Sequence, residues 1–408
     1  MELEVRDKAR LAGSEGPGVA LAMRVVTGMG EAVGATSLLD VTGAHVDSCL
    51  YHGRAGLDFA LRLAEGGAMV SVPTTLNITS LDLLHPELYR GDGNEAAAAR
   101  RQLEAYEAMG CRPTWTCAPY QLEARPGLGE HIAWAESNAI VFANSVLGAR
   151  TGRYGDFFDI CAAVTGRVPA AGLHLDWNRL GGVVLSVEPR RWDMSTSLFY
   201  AALGHVVGGR AGALVPVIQG LPAKTTEDHL KALGAAAASS GSVAMFHAVG
   251  ITPEAPTLEA ATGGRPLPTE QITDEHLDAA VRELSTGSAA NVDAVCLGTP
   301  HFSLAEFGRL RQALAGRRAA LPLYVNTGRG VLGDLQARGW DEELSALGVT
   351  IVTDTCTYLT PILADAIRTV MTDSGKWAFY APANLGVDVV LADLDMCVNR
   401  AVAGRVGS

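Results

Sequence analysis

Apolar and polar positions alternate so that short strand-like runs are interleaved with helix-spaced segments. Val19, Met23, Val26, Met29 and Val33 recur at helical spacing over residues 17 to 33, and Gly34 follows as a C-cap. Residues 37 to 41 read as a strand opening into the loop Thr42-Gly43-Ala44-His45. Residues 57 to 64 then read as a helix and 69 to 72 as a second strand. Residues 92 to 109 form an Ala- and Glu-rich helix closed by Gly110. Residues 136 to 150 are helix-like but carry Asn138, Asn144 and Ser145 among apolar neighbours. Such groups, when buried, need partners or face a ligand.

Further on, strands are expected at 182–187, 214–218 and 243–247, with Pro216 confining the second of these to a sheet edge. Segment 252–269 reads as a loop. The buried-strand pattern Val292 to Gly298 delivers Thr299-Pro300-His301-Phe302-Ser303 to a helix beginning at Leu304, with Ser303 as N-cap and Glu306 at its third position. Runs at 323–326, 348–352 and 387–391 repeat the theme. The alternation predicts the α/β class, with sheets flanked by helices. Three regions are drawn: an α/β domain over 1–165, a second α/β region over 166–290, and a C-terminal α/β domain over 291–408 whose loops carry cysteines.

At 408 residues and 48% apolar content the chain can bury a large core, while no apolar run of about 18 residues marks a membrane span. A net charge of -12 without a basic tract argues against nucleic acid. The charged start, Met1 to Asp7, has neither a signal nor a transit pattern, so a cytoplasmic location is expected. Seven scattered cysteines with no CxxC pair read as thiols or metal ligands rather than disulfides.

Cys49, Cys111, Cys161 and Cys296 lie in or beside apolar elements and read as small core hydrophobes. Cys117, Cys356 and Cys397 stand at polar, Pro- or Asp-flanked element ends, where they either pack in the same way or converge on a metal. Their long spacings match no zinc signature. His301 is a ligand, a base or a turn histidine, and Lys376, after Asp373-Ser374-Gly375, grips a carboxylate or lies on the surface. No GxGxxG, GxSxG or Walker loop is present, which disfavours the common nucleotide enzymes.

Several segments taken together resemble the aconitase X family, a branch of the aconitase superfamily. They are Val72-Pro73-Thr74-Thr75-Leu76-Asn77, Thr116-Cys117-Ala118-Pro119-Tyr120, Ala143 to Thr151, Asp159 to Ala163, Leu297 to Glu306, Thr353-Asp354-Thr355-Cys356 and Ser374-Gly375-Lys376. The likeness runs from near residue 10 to the C-terminus.

The resemblance implies an aconitase-like core with its active site at a domain interface, and a hydro-lyase that dehydrates a small hydroxy acid with iron as Lewis acid. It implies metal ligands at Cys117, Cys356 and Cys397, with the iron–sulfur type, [2Fe-2S] or [4Fe-4S], left open. Archaeal relatives carry a cysteine where this chain has Thr299. Catalytic roles fall to His301, Ser374 and Lys376, and substrate binding to Thr75, Asn77, Asn144, Ser145 and Arg150. The bacterial members' substrate is cis-3-hydroxy-L-proline, giving a pyrroline-2-carboxylate. The alternatives are the large subunit of a phosphomevalonate dehydratase and a non-catalytic iron-binding subunit. The family pattern has Asn and His where this chain has Asp373 and Phe379. A small swivelling domain that supplies a serine completes the family's core, and no stretch here resembles it, so a small-subunit partner is expected.

Overall fold

The computed structural model describes residues 1–404. The chain divides into two compact units, Met1–Leu81 with Gly91–Leu180, and Asp82–Arg90 with Gly181 onward. Among the described residues no helix is long and apolar enough to cross a membrane.

In the first unit the expected helix runs Pro17–Ala32, with proline at its first turn and Val19, Met23 and Val26 buried along one stripe. Gly18 lets this helix approach its neighbour Arg54–Glu65 closely, since a Cβ there would lie 2.5 Å from the Leu63 carbonyl oxygen. Three short parallel strands follow in the order Thr74–Leu76, Ala44–Val46, Ala133–Trp134. Leu38–Asp40 pairs antiparallel with Arg167–Pro169. The strand read at 69–72 is displaced to Thr74–Leu76. Val70 and Ser71 donate instead to the carbonyls of Met109 and Ala163, so their backbone bonds go to neighbouring segments rather than to a ladder.

The second unit holds two wholly parallel sheets. One has the order Val349–Thr353, Leu323–Thr327, Ala294–Phe302, Thr369–Thr372, Asp388–Leu391. The other runs His247–Ala248, Pro216–Gln219, Val183–Val187, Thr269–Ile272. Ala294–Phe302 is buried at every position, as a strand covered on both faces should be. The strand beginning at Pro216 is internal, not an edge. Proline is its first residue, and the two-residue partner His247–Ala248 pairs only with Val217 and Ile218, so no ladder bond is asked of the missing N–H. Helices Ser197–Ala211 and Glu227–Ser240 pack closely at Gly204, where a Cβ would meet the Leu233 carbonyl oxygen at 2.3 Å.

Segment Asp82–Arg90 joins this unit through buried polar bonds. The Asp82 carboxylate accepts from the Thr353 N–H at 2.9 Å and its hydroxyl at 3.1 Å, and Arg90 donates to the Ile362 carbonyl at 3.0 Å.

Candidate active site

The carboxyl ends of the five-stranded sheet carry the conspicuous chemistry of the second unit. Strand Ala294–Phe302 loses register between Leu297 and Phe302. Gly298 makes this possible with a φ of 84° and no Cβ to strike the Asn326 carbonyl, which would lie 2.2 Å away. Such a bulge re-aims the residues after it. Asn326 ties the neighbourhood together, donating to the Leu297 carbonyl at 2.9 Å and accepting from the Thr357 N–H at 3.1 Å. Sequence reading placed Asn326 in a strand and gave it no further role; its signal was a lone amide ending an apolar run.

Buried His301 directs Nε2 at the Thr355 carbonyl, 3.2 Å away. Burial pushes its pKa down to about 4. The neutral ring donates Nε2–H to that carbonyl and keeps a lone pair on Nδ1. The next residue after Thr355 is Cys356, also buried, and the ligand atoms of His301 and Cys356 lie within 4.8 Å of each other. A neutral imidazole beside a thiol is a donor set suited to iron or zinc. The pair is held by Asp354 at a positive φ of 62°, whose carboxylate accepts both arms of Arg329 at 2.6 and 2.8 Å.

Ser374 is the N-cap of helix Gly375–Leu385, accepting from the Trp377 N–H at 3.0 Å and donating to the Thr299 carbonyl. Both ends of its hydroxyl thus support the backbone. Lys376 is 4% exposed, with Nζ 5.9 Å from the centre of the Tyr358 ring. Phe379 is 40% exposed and lies 6.4 Å from the His205 ring, away from this pair.

Cys397 is not brought to His301 and Cys356. It sits inside helix Leu394–Ala403, in the apolar cluster with Val398, Leu321 and Val390, and burial drives its thiol pKa well up. Its polar flank was misleading: Asp393 caps the helix by accepting from the Met396 N–H at 2.7 Å, while Cys397 turns inward.

In the first unit, parallel strands again end in polar residues. Asn77, Asp47 and Glu136 follow Thr74–Leu76, Ala44–Val46 and Ala133–Trp134 at one edge, and Asn77 Nδ2 donates to Asp47 Oδ1. Burial and the neighbouring Glu136 and Asp156 raise the Asp47 carboxyl to about 8. Asp47 was missed, because nothing local distinguishes it from a solvated loop acid. The Thr116 N–H bonds the Leu76 carbonyl at 3.3 Å and brings buried Cys117 to the same edge. The Cys117 carbonyl accepts from Asn138 at 3.0 Å.

The other expected substrate contacts also bond within the protein. Thr75 pairs with His45 Nδ1 at 2.8 Å. Asn144 donates to the Thr151 carbonyl at 3.0 Å and accepts from the Thr151 N–H and Arg179 at 3.0 and 3.1 Å, so its amide pins the loop after the π-helical turn Ala143–Leu147. Ser145 is buried in that turn. Arg150 donates to the His174 carbonyl at 3.0 Å and pairs with Asp176.

Three family profiles match the chain: aconitase X first domain over residues 1–177, second domain over 181–282 and third domain over 292–403. The chain belongs to the aconitase X family. It is 45% identical over 414 residues to a cis-3-hydroxy-L-proline dehydratase of Pseudomonas aeruginosa, covering 99% of this chain and 70% of that one. A Hypocrea jecorina protein of the same name is 41% identical, with 99% and 69% covered. The phosphomevalonate dehydratase large subunit of Thermococcus kodakarensis is 36% identical, with 98% and 100% covered. The crystal structure titled Thermococcus kodakaraensis aconitase X (holo-form) superposes with a TM-score of 0.89 at 34% identity, covering 98% of this chain and 100% of that one. These named relatives are dehydratases, and this aconitase X chain is an enzyme of that hydro-lyase class.

Proposed function

We propose that the chain removes water from cis-3-hydroxy-L-proline, giving a pyrroline-2-carboxylate. The observation that carries this is the order of likeness: 45% and 41% identity to two dehydratases named for that substrate, against 36% to the large subunit from Thermococcus kodakarensis. The reaction breaks one C–H and one neighbouring C–O bond and releases both fragments as water.

Cys117 and Cys356, with His301, are the residues we assign to an iron centre. Iron held by them supplies a Lewis acid for the departing hydroxyl. The buried His301–Cys356 donor pair and Cys117 at the polar edge of its own sheet support the assignment. Lys376 is assigned to the substrate carboxylate, a charge-assisted contact that orients the ring. Asp47, with its raised carboxyl, is a suitable proton carrier at neutral pH. All seven cysteines are buried and none is in a disulfide, in keeping with a reducing, cytoplasmic location.

We also propose that a small partner chain completes the enzyme. The match covers the whole of a protein named as a large subunit but 70% of the bacterial dehydratase. The same coverage favours a second reading, the large subunit of a phosphomevalonate dehydratase. Anaerobic purification with iron, addition of the small partner and assay of both substrates decides between them. Turnover of cis-3-hydroxy-L-proline supports the first reading, and turnover of phosphomevalonate alone replaces it.

A further inference from the structure

The five-stranded sheet reverses its strand order between Ala294–Phe302 and Thr369–Thr372: the strands that follow the first lie to one side, and Asp388–Leu391 lies to the other. In open parallel sheets this switch point leaves a crevice at the carboxyl ends of the strands, where ligands bind. A cavity of about 500 Å³ opens there, lined by Phe302 and Glu306 from one side of the switch and Asp373 from the other. Neither His301, Cys356 nor Lys376 lines it.

The charges of this cavity do not balance. Asp228 and Glu306 share Lys231, which is 3.3 Å from Asp228 and bonded to Glu306, and Arg309 stands 3.4 and 3.8 Å from the same two acids. Those four groups form a neutral set. Asp373 stands outside it. Its side chain faces the cavity at 8% exposure, and among the described residues no other residue donates a hydrogen bond to its carboxylate. Asp193, Asp393 and Asp395 also line the cavity, so its lining carries more acids than cations.

A buried carboxylate without a partner is costly unless something pairs with it. A bare metal ion fits poorly, because Asp373 belongs to no converging set of three His, Cys, Asp or Glu donors among the described residues. The missing partner must bring its own N–H donors. Phe302, Ala313 and Leu394 offer it an apolar wall. We infer that this crevice is a binding site for a small organic ammonium with an aliphatic body, of the size of an amino or imino acid, held by Asp373.

The inference concerns binding and stands apart from the reaction, so an inactive chain still tests it. L-proline and cyclopentanecarboxylate share a ring and a carboxylate, and only the first carries the ammonium. Calorimetric titration of the full chain should show L-proline binding about 10-fold or more tighter, as a charge-assisted contact requires. Asp373→Asn, checked for folding by circular dichroism, should abolish that preference. Equal affinity for the two probes, no binding of L-proline, or a folded Asp373→Asn chain that keeps the preference each overturns the inference. Should the variant fail to fold, Leu394→Lys, which sets a cation in the same cavity, should likewise abolish the preference, and a folded Leu394→Lys chain that keeps it overturns the inference.

Discussion

Arg329 closes both arms of its guanidinium on Asp354, at 2.6 and 2.8 Å, two residues before Cys356. Asp354 is fully buried at a positive φ of 62°, and the guanidinium is what offsets the loss of its hydration. Arg329→Met leaves a buried carboxyl without its main partner. With Arg329 itself 36% exposed, the loss should be about 1–3 kcal/mol in urea unfolding, below that of a fully buried pair. Arg329→Lys keeps charge but not the paired geometry and should fall between. A Met variant as stable as the native chain would remove this pair from the account of how the Cys356 loop is held.

Ser374→Ala tests whether that hydroxyl serves the fold. It removes the cap of helix Gly375–Leu385 and the bond to Thr299 together, so stability should fall by about 1–3 kcal/mol. A variant of native stability that has lost turnover would support the catalytic role expected from the sequence.

Iron content separates Cys117 and Cys356 from Cys397. Cys117→Ser and Cys356→Ser should each lower bound iron and visible thiolate–iron absorption. Cys397→Ser should keep both and lose about 1–3 kcal/mol of stability, since it places a hydroxyl in an apolar cluster. Metal analysis and denaturation on the same preparations check this; loss of iron from the Cys397 variant alone would reverse the assignment.

Lys376→Met keeps most of the stem and removes the charge. If Lys376 holds the substrate carboxylate, the lost contact is about 1.5–3 kcal/mol, and kcat/KM falls roughly 10- to 150-fold. Steady-state kinetics with the small partner present would show native kcat/KM if Lys376 only packs against Tyr358.

Asp47 should leave a mark on the pH dependence of stability. Folded Asp47 holds its proton up to about 8, whereas an unfolded Asp releases it near about 3.9. Between those values the folded state binds more protons, so this contribution to stability is full below the lower value and is lost as pH rises to the higher one. Asp47→Asn has no such loss. Its stability relative to the native chain should therefore rise between about pH 4 and about pH 8. A relative stability that stays constant over that range would show that the carboxyl is not raised.

The strands were legible where β-branched runs adjoin a glycine, as at Ala294–Phe302 and Val349–Thr353, and the Ser303–Glu306 capping box was legible because its spacing is local. What failed depended on partners far along the chain. Val70 and Ser71 look like strand residues until the carbonyls of Met109 and Ala163 claim their N–H groups. Pro216 seemed to require an edge because the shortness of its neighbour His247–Ala248 cannot be read from residue 216. Cys397 was judged by its acidic flank, although the flank belongs to a helix cap and the thiol lies further along the turn, facing inward. His301 reads as a ligand, a base or a turn histidine, and its lowered pKa arises from burial, which sequence does not display.

The bond between Asp82 and Thr353 spans 271 residues, and it sets an order of events during synthesis. At about 5–20 residues per second the ribosome delivers Thr353 on the order of tens of seconds after Asp82. Through that interval the segment 82–90 must wait for its second-unit partners while the chain on both sides of it collapses into another unit. A fragment beginning at residue 181 would carry the same defect permanently, with the Thr353 N–H left without its acceptor. A second unit expressed from residue 181 should therefore be less stable, and supplying residues 82–90 as a peptide is the direct way to complete it.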